Sequence, residues 1–188
     1  SYLGLKAGKE TDTMCADENA SYEKTIELNV SSIEPQVALP HTVDNVRPVS
    51  AVKDVEIHQA ILGSCTNGRL EDIDAAAKIL KGKRVHDRVR MLVIPASWEI
   101  YRRAIDNGSL ATLVDAGAVI LNSGCGPCFG SYGGLLAPGE RCISSTNRNF
   151  KGRMGSDQAE VYLASPLTVA ASAVAGKITD PGKWHSKD

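Results

Sequence analysis

The sequence predicts an α/β domain in three layers, αβα, built on a mostly parallel sheet. From Val55 onward, short apolar runs alternate with stretches of helical period, and Gly, Pro and Asn punctuate the joins. Motifs rich in cysteine or arginine follow directly on the ends of several apolar runs, where an open parallel sheet gathers its ligands.

Residues 1–50 read as a lead-in followed by an extended connection. Ile26, Leu28 and Val30 alternate with polar neighbours, which predicts a half-exposed strand over 25–30. Pro35, Pro40 and Pro48 then keep 31–50 extended. Cys15 stands in no recognisable spacing, and His41 reads as a solvated loop histidine.

Residues 51–188 read as the α/β domain itself. A strand over 55–62, interrupted by His58 and Gln59, runs into Gly63-Ser64-Cys65. Residues 70–80 place apolar side chains at 70, 73, 76, 77 and 80, with acids early and Lys78 and Lys81 late, as a helix and its dipole prefer. Gly82 ends that helix. The run 89–94 is apolar enough for a central strand, and Pro95 stops it. Helices are expected over 98–105 and 110–114, then a short buried strand over 118–121 that leads into Cys125. Gly130, Gly133, Gly134 and Gly139 predict a loop, and 142–145 a further strand leading into Asn147 and Arg148. Residues 159–163 and 167–175 read as the last two helices.

Composition narrows the function. Lys and Arg number 21 against 22 Asp and Glu, so the chain has no strongly basic field for nucleic acid or a membrane surface. No apolar run approaches the roughly 20 residues of a membrane span, and the start lacks a basic segment followed by an apolar one. The chain reads as cytoplasmic. Five cysteines is an odd number for a disulfide framework, so metal or redox work explains them better. The opening Ser1 fits initiator removal or a piece of a longer protein.

Cys65 and the pair Cys125 and Cys128 form a three-thiolate pattern, which points first to an iron–sulfur cluster. Three protein ligands leave one iron open to bind substrate oxygen as a Lewis acid, whereas electron-transfer clusters have every iron tied to the protein. Two other readings stand beside it. Cys125-Gly126-Pro127-Cys128 is letter for letter a thiol-redox motif. A structural zinc would recruit His41, His58 or His86 as fourth ligand, though none stands at finger spacing. Arg148 and Arg153 suit a substrate with two or three carboxylates, because guanidinium groups grip carboxylates through paired hydrogen bonds.

Four motifs together carry a family resemblance. Gly63-Ser64-Cys65-Thr66-Asn67-Gly68-Arg69, Cys125-Gly126-Pro127-Cys128, the run from Ser145 through Asn147-Arg148-Asn149 to Arg153-Met154-Gly155, and Tyr162-Leu163-Ala164-Ser165-Pro166 resemble the aconitase superfamily. The likeness covers roughly residues 35–180, and its wording is closest to the branch of dehydratases assembled from a large and a small subunit. It implies the fold of the third aconitase domain and a [4Fe–4S] cluster on Cys65, Cys125 and Cys128. It also implies substrate contacts from Asn67, Asn147, Arg148 and Arg153. The implied activity is that of a hydro-lyase, which moves a hydroxyl between adjacent carbons of a 2-hydroxy di- or tricarboxylate by dehydration and rehydration. The implied partners are a small, swivel-domain subunit and the upstream large-subunit domains. None of His41, His58, His86 and His185 lies in a motif, so no catalytic acid or base is assigned and the chain alone is expected to be inactive.

Overall fold

The computed structural model describes residues 16–130 and 132–184, so Cys15 and His185 lie outside the described residues. The chain divides into two units between Ile33 and Glu34. In the first, the 25–30 strand does not form, and the element among the described residues is a short 3-10 turn, Val30–Ser32, capped by the Asn29 side chain. Alternation alone does not make a strand. Without a neighbour to take its N–H and C=O groups, an isolated strand gains nothing over solvated chain.

The second unit is built on one sheet. Strands β1 (Gln36–Ala38) and β2 (Val46–Pro48) pair antiparallel. Strands β3 (Gln59–Gly63), β4 (Arg90–Ile94), β5 (Val119–Ile120), β6 (Arg141–Ser144) and β7 (Glu160–Ala164) run parallel. The order across the sheet is β2-β1-β7-β6-β3-β4-β5, with β1 antiparallel to β7. The helices are α1 (Leu70–Leu80), α2 (Trp98–Asp106), α3 (Ser109–Asp115) and α4 (Pro166–Ala175).

The structure departs from two further expectations. The stretch read as extended connection contributes β1 and β2, with Pro48 closing an edge strand where its missing N–H costs nothing. Of the residues read as a helix over 159–163, 160–163 belong to β7. Val161 faces one side of the sheet and Tyr162 the other, in register with Cys142 and Ile143 of β6, so burial on both faces overrides the helical preference of Ala159 and Leu163.

The two faces of the sheet differ. Ala60 and Leu62 of β3, Met91 and Val93 of β4, Ile143 and Tyr162 pack with Ile73, Leu80, Leu113 and Val169 from the helices. Ile61, Leu92, Ile94, Cys142 and Val161 face the other way, onto Cys128, Leu136, Met154 and Ala159, none of which is in an α-helix. The third layer is therefore a 3-10 turn, Gly126–Phe129, and irregular chain. Chain direction accounts for this. From β3 to β5 the chain steps one way across the sheet, and from β5 to β7 it steps back past β3. A right-handed crossover that reverses direction must run over the opposite face. The connections carrying Cys125, Cys128 and Arg153 are those return crossovers.

Candidate metal centre

Cys65 follows the central strand β3, and its loop is fixed by contacts from both neighbouring strands. Gly63 has φ +96°, and a Cβ there would collide with the Ile94 carbonyl, so only glycine lets the chain turn against β4. Ser64 is held at φ 107°, a region that L residues rarely enter and that costs about 1–3 kcal/mol. The loop is tied down around it. Ser64 N donates to Ile94 O at 3.0 Å, Gly63 N to Ser145 Oγ at 2.8 Å, and Ala96 N to Gly68 O at 2.9 Å.

The exit of β6 completes the stitching. Asn67 Nδ2 donates to Ser145 O at 2.5 Å, and Thr66 Oγ1 to Asn147 Oδ1 at 2.7 Å. Asn147 Nδ2 in turn points to Cys65 Sγ at 3.8 Å, an amide N–H offered to the sulfur. Strands β3 and β6 are neighbours from which the chain leaves in opposite directions, so this contact lies at the switch point of the sheet.

Cys125 and Cys128 arrive from the far edge. Strand β5 lies two strands from β3, and Cys125 precedes the Gly126–Phe129 turn, which Cys128 N and Gly130 N close on Cys125 O (3.1 Å) and Pro127 O (2.9 Å). Cys65 and Cys125 are exposed, while Cys128 is 5 % exposed and packs in the second core cluster. Among the described residues no three His, Cys, Asp or Glu side chains stand close enough to hold a metal ion. The structure thus brings Cys65 and Asn147 together and sets all three cysteines beyond carboxyl ends of parallel strands, without closing them around one ion.

The remaining candidates are placed unequally. Asn67 braces Ser145. Arg148 is exposed, and its Nη1 donates back to Asn147 O at 2.9 Å. Arg153 is half-buried, with Nε enclosed and unpaired. His58 lies just before the start of β3, where its Nδ1 accepts from Arg141 N at 3.0 Å, and His86 precedes β4. Both histidines are at the wrong end of the strands for a zinc site with Cys65. Cys142 is fully buried, and burial pushes its thiol far above the usual range, so it takes no part.

Sequence reasoning missed Asn149. It is fully buried, and its Nδ2 donates to Leu39 O at 2.7 Å and Thr42 O at 3.1 Å, tying the segment after β1 to the Asn147–Arg153 loop. Nothing in the local pattern announces a contact across more than a hundred residues. Two unsatisfied polar atoms also flank the cysteine motifs: Ser64 Oγ and Ser123 Oγ are buried without partners. Buried hydroxyls beside soft thiols fit a sulfur-rich group, whose sulfides accept hydrogen bonds.

The fold and the rim of thiols define an aconitase-type domain. Residues 49–176 match the aconitase family (aconitate hydratase), and the chain belongs to that family. It is 55% identical over 181 residues to a probable 3-isopropylmalate dehydratase large subunit of Methanothermobacter thermautotrophicus, covering 96% of this chain and 43% of that protein. Its identity to 3-isopropylmalate dehydratase large subunit 2 of Archaeoglobus fulgidus is 54% over 179 residues, covering 94% of this chain and 43% of that one. For 3-isopropylmalate dehydratase large subunit 1 of Methanopyrus kandleri it is 53% over 180 residues, with coverage of 96% and 43%. The chain spans less than half the length of these relatives.

Proposed function

We propose that this chain is the cluster-binding part of a [4Fe–4S]-dependent hydro-lyase that isomerises 2-isopropylmalate to 3-isopropylmalate by dehydration and rehydration, a step of leucine biosynthesis. The observation that carries this is the Asn147 bridge, which joins the Cys65 loop to the arginine-bearing loop at the switch point of the sheet. The relatives' names support the substrate. Homocitrate, the substrate of a homoaconitase, is the competing choice, because Arg148 and Arg153 suit any carboxylate-rich 2-hydroxy acid.

Cys65, Cys125 and Cys128 would hold the cluster, which supplies a Lewis-acidic iron for the departing hydroxyl. The protein's own part is orientation. Asn147 offers its amide N–H to the Cys65 sulfur, and such donors lower the charge density on a thiolate. Arg148, once freed from Asn147 O, and Arg153, with its unpaired Nε, would grip substrate carboxylates in paired geometry. No motif residue is poised as a general base, so the proton acceptor belongs to the small, swivel-domain subunit or to the upstream domains. The thiols call for a reducing compartment such as the cytoplasm. Among the described residues no helix is long and apolar enough to cross a membrane.

Anaerobic reconstitution followed by EPR tests the reading. Added 2-isopropylmalate or homocitrate should perturb the cluster signal, and the isolated chain should dehydrate neither. A cluster signal indifferent to both acids would overturn the proposed activity and leave a cluster-binding redox module.

A further inference from the structure

The irregular layer that carries Cys125 and Cys128 has little regular structure to hold it in place. Its upstream anchor is β5, two residues long at the sheet edge. Downstream, however, a chain of side chains grips it from beneath. Gln59 is fully buried on the face that the layer covers, and its Nε2 donates to Gly134 O at 2.6 Å. Its Oε1 accepts from Arg90 Nε at 3.2 Å. Arg90 then holds Glu140 in a two-pronged pair, Nη1 to Oε1 at 2.8 Å and Nη2 to Oε2 at 2.9 Å. Glu140 Oε2 closes the chain by accepting from Ala137 N at 2.9 Å.

These groups hold the loop at two points of its backbone, one carbonyl and one amide. Gly134 lies so flat on the sheet that a Cβ there would collide with Leu92 Cδ1. Beside it, Leu136 shares a core cluster with Cys128, so the seat of Gly134 and Ala137 sets the seat of the Cys128 turn. A leucine or methionine at position 59 would fill the same space with less cost of desolvation. An amide buried there has a directional task.

We propose that Gln59, Arg90 and Glu140 form a positioning clamp that holds the loop downstream of the Cys125–Cys128 turn on the sheet, so that the turn's two thiols can close with Cys65 when a metal or cluster binds. The proposal rests on reading the three cysteines as one thiolate set. The residues act through the loop and touch neither cluster nor substrate. They are positioning residues, and their loss loosens one half of the site while the Cys65 half stays in place.

Cd²⁺ tests this without iron chemistry, because three converging thiolates give a charge-transfer absorption on binding it. In Gln59→Met, Cd²⁺ affinity should fall about tenfold, the effect of leaving one buried carbonyl unpaired. Hydrogen exchange should show faster amides over 121–139, with α1 and α4 unchanged. Glu140→Gln, which keeps the side-chain volume, should give the same pattern at smaller amplitude and guards against a variant that fails to fold. Wild-type affinity in both variants, exchange that quickens uniformly, or a wild-type chain without a three-thiolate Cd²⁺ signal would each overturn the clamp. A wild-type chain that binds Cd²⁺ through three thiolates yet never assembles an iron–sulfur cluster would instead sink the proposed function and leave the clamp standing.

Discussion

The Cys65 loop and the Cys125–Cys128 turn reach the same edge of the sheet by different physical means. Cys65 leaves a central strand, and main-chain and side-chain hydrogen bonds from β4 and β6 hold its loop against backbone strain at Ser64. Cys125 leaves an edge strand of two residues and enters a layer held by apolar contact with Leu92 and Ile94 and by the Gln59 clamp. One thiol is built into the sheet, and the other two are laid on it. A site made this way keeps one ligand fixed and lets the others settle around a bound group.

The sharpest test of that difference is a matched pair of glycine substitutions. Gly63→Ala forces a Cβ into the Ile94 backbone carbonyl at φ +96° and should cost about 3 kcal/mol or more in urea unfolding. Gly134→Ala also has a positive φ, +79°, but its Cβ meets the tip of the Leu92 side chain, which can rotate away. Its cost should be about 1–2 kcal/mol. Equal losses would erase the distinction between the two halves.

A smaller effect should appear in acid. The hydrogen bonds from Arg90, foremost, hold the Glu140 carboxyl below the usual carboxylate range, with Arg90 correspondingly raised. A depressed folded-state pKa means that the pair's stabilisation is complete above the ordinary glutamate value of about 4.3 and is lost as pH falls through the folded value. Arg90 is half exposed, which limits the contribution to at most about 1 kcal/mol. Glu140→Gln should remove that share of the acid limb of the stability curve. An unchanged limb would show that the pair carries no net charge stabilisation.

The smallest perturbation is chemical labelling of the native apo chain. Iodoacetamide should modify exposed Cys65 and Cys125 well before Cys128 and Cys142, which are buried. Labelling of Cys128 at the rate of Cys125 would mean that the turn is not seated on the second core cluster.

Much of this was legible in the sequence because local pattern and global fold agree there. The helical spacing of 70–80, Pro95 after an apolar run and the placement of cysteines past strand ends each reappear as α1, the end of β4 and the rim of the site. The elements that went astray depend on distant partners. Residues 160–163 are a strand only because β6 and two buried faces demand it, and 25–30 is not one because no neighbour pairs with it. Within the proposed site, the thiols and Arg148 announce themselves by residue type. Gln59 and Asn149 do not, since their tasks are single hydrogen bonds to carbonyls far along the chain.

The central claim is that Cys65, Cys125 and Cys128 act as one ligand set, and anaerobic iron–sulfur reconstitution of the chain with single cysteine replacements tests it most directly. The account predicts a cluster absorption in the wild-type chain that is lost in Cys65→Ser, Cys125→Ser and Cys128→Ser and kept in Cys142→Ser. A wild-type chain that stays colourless, or a cluster that survives loss of any one of the three, would contradict it.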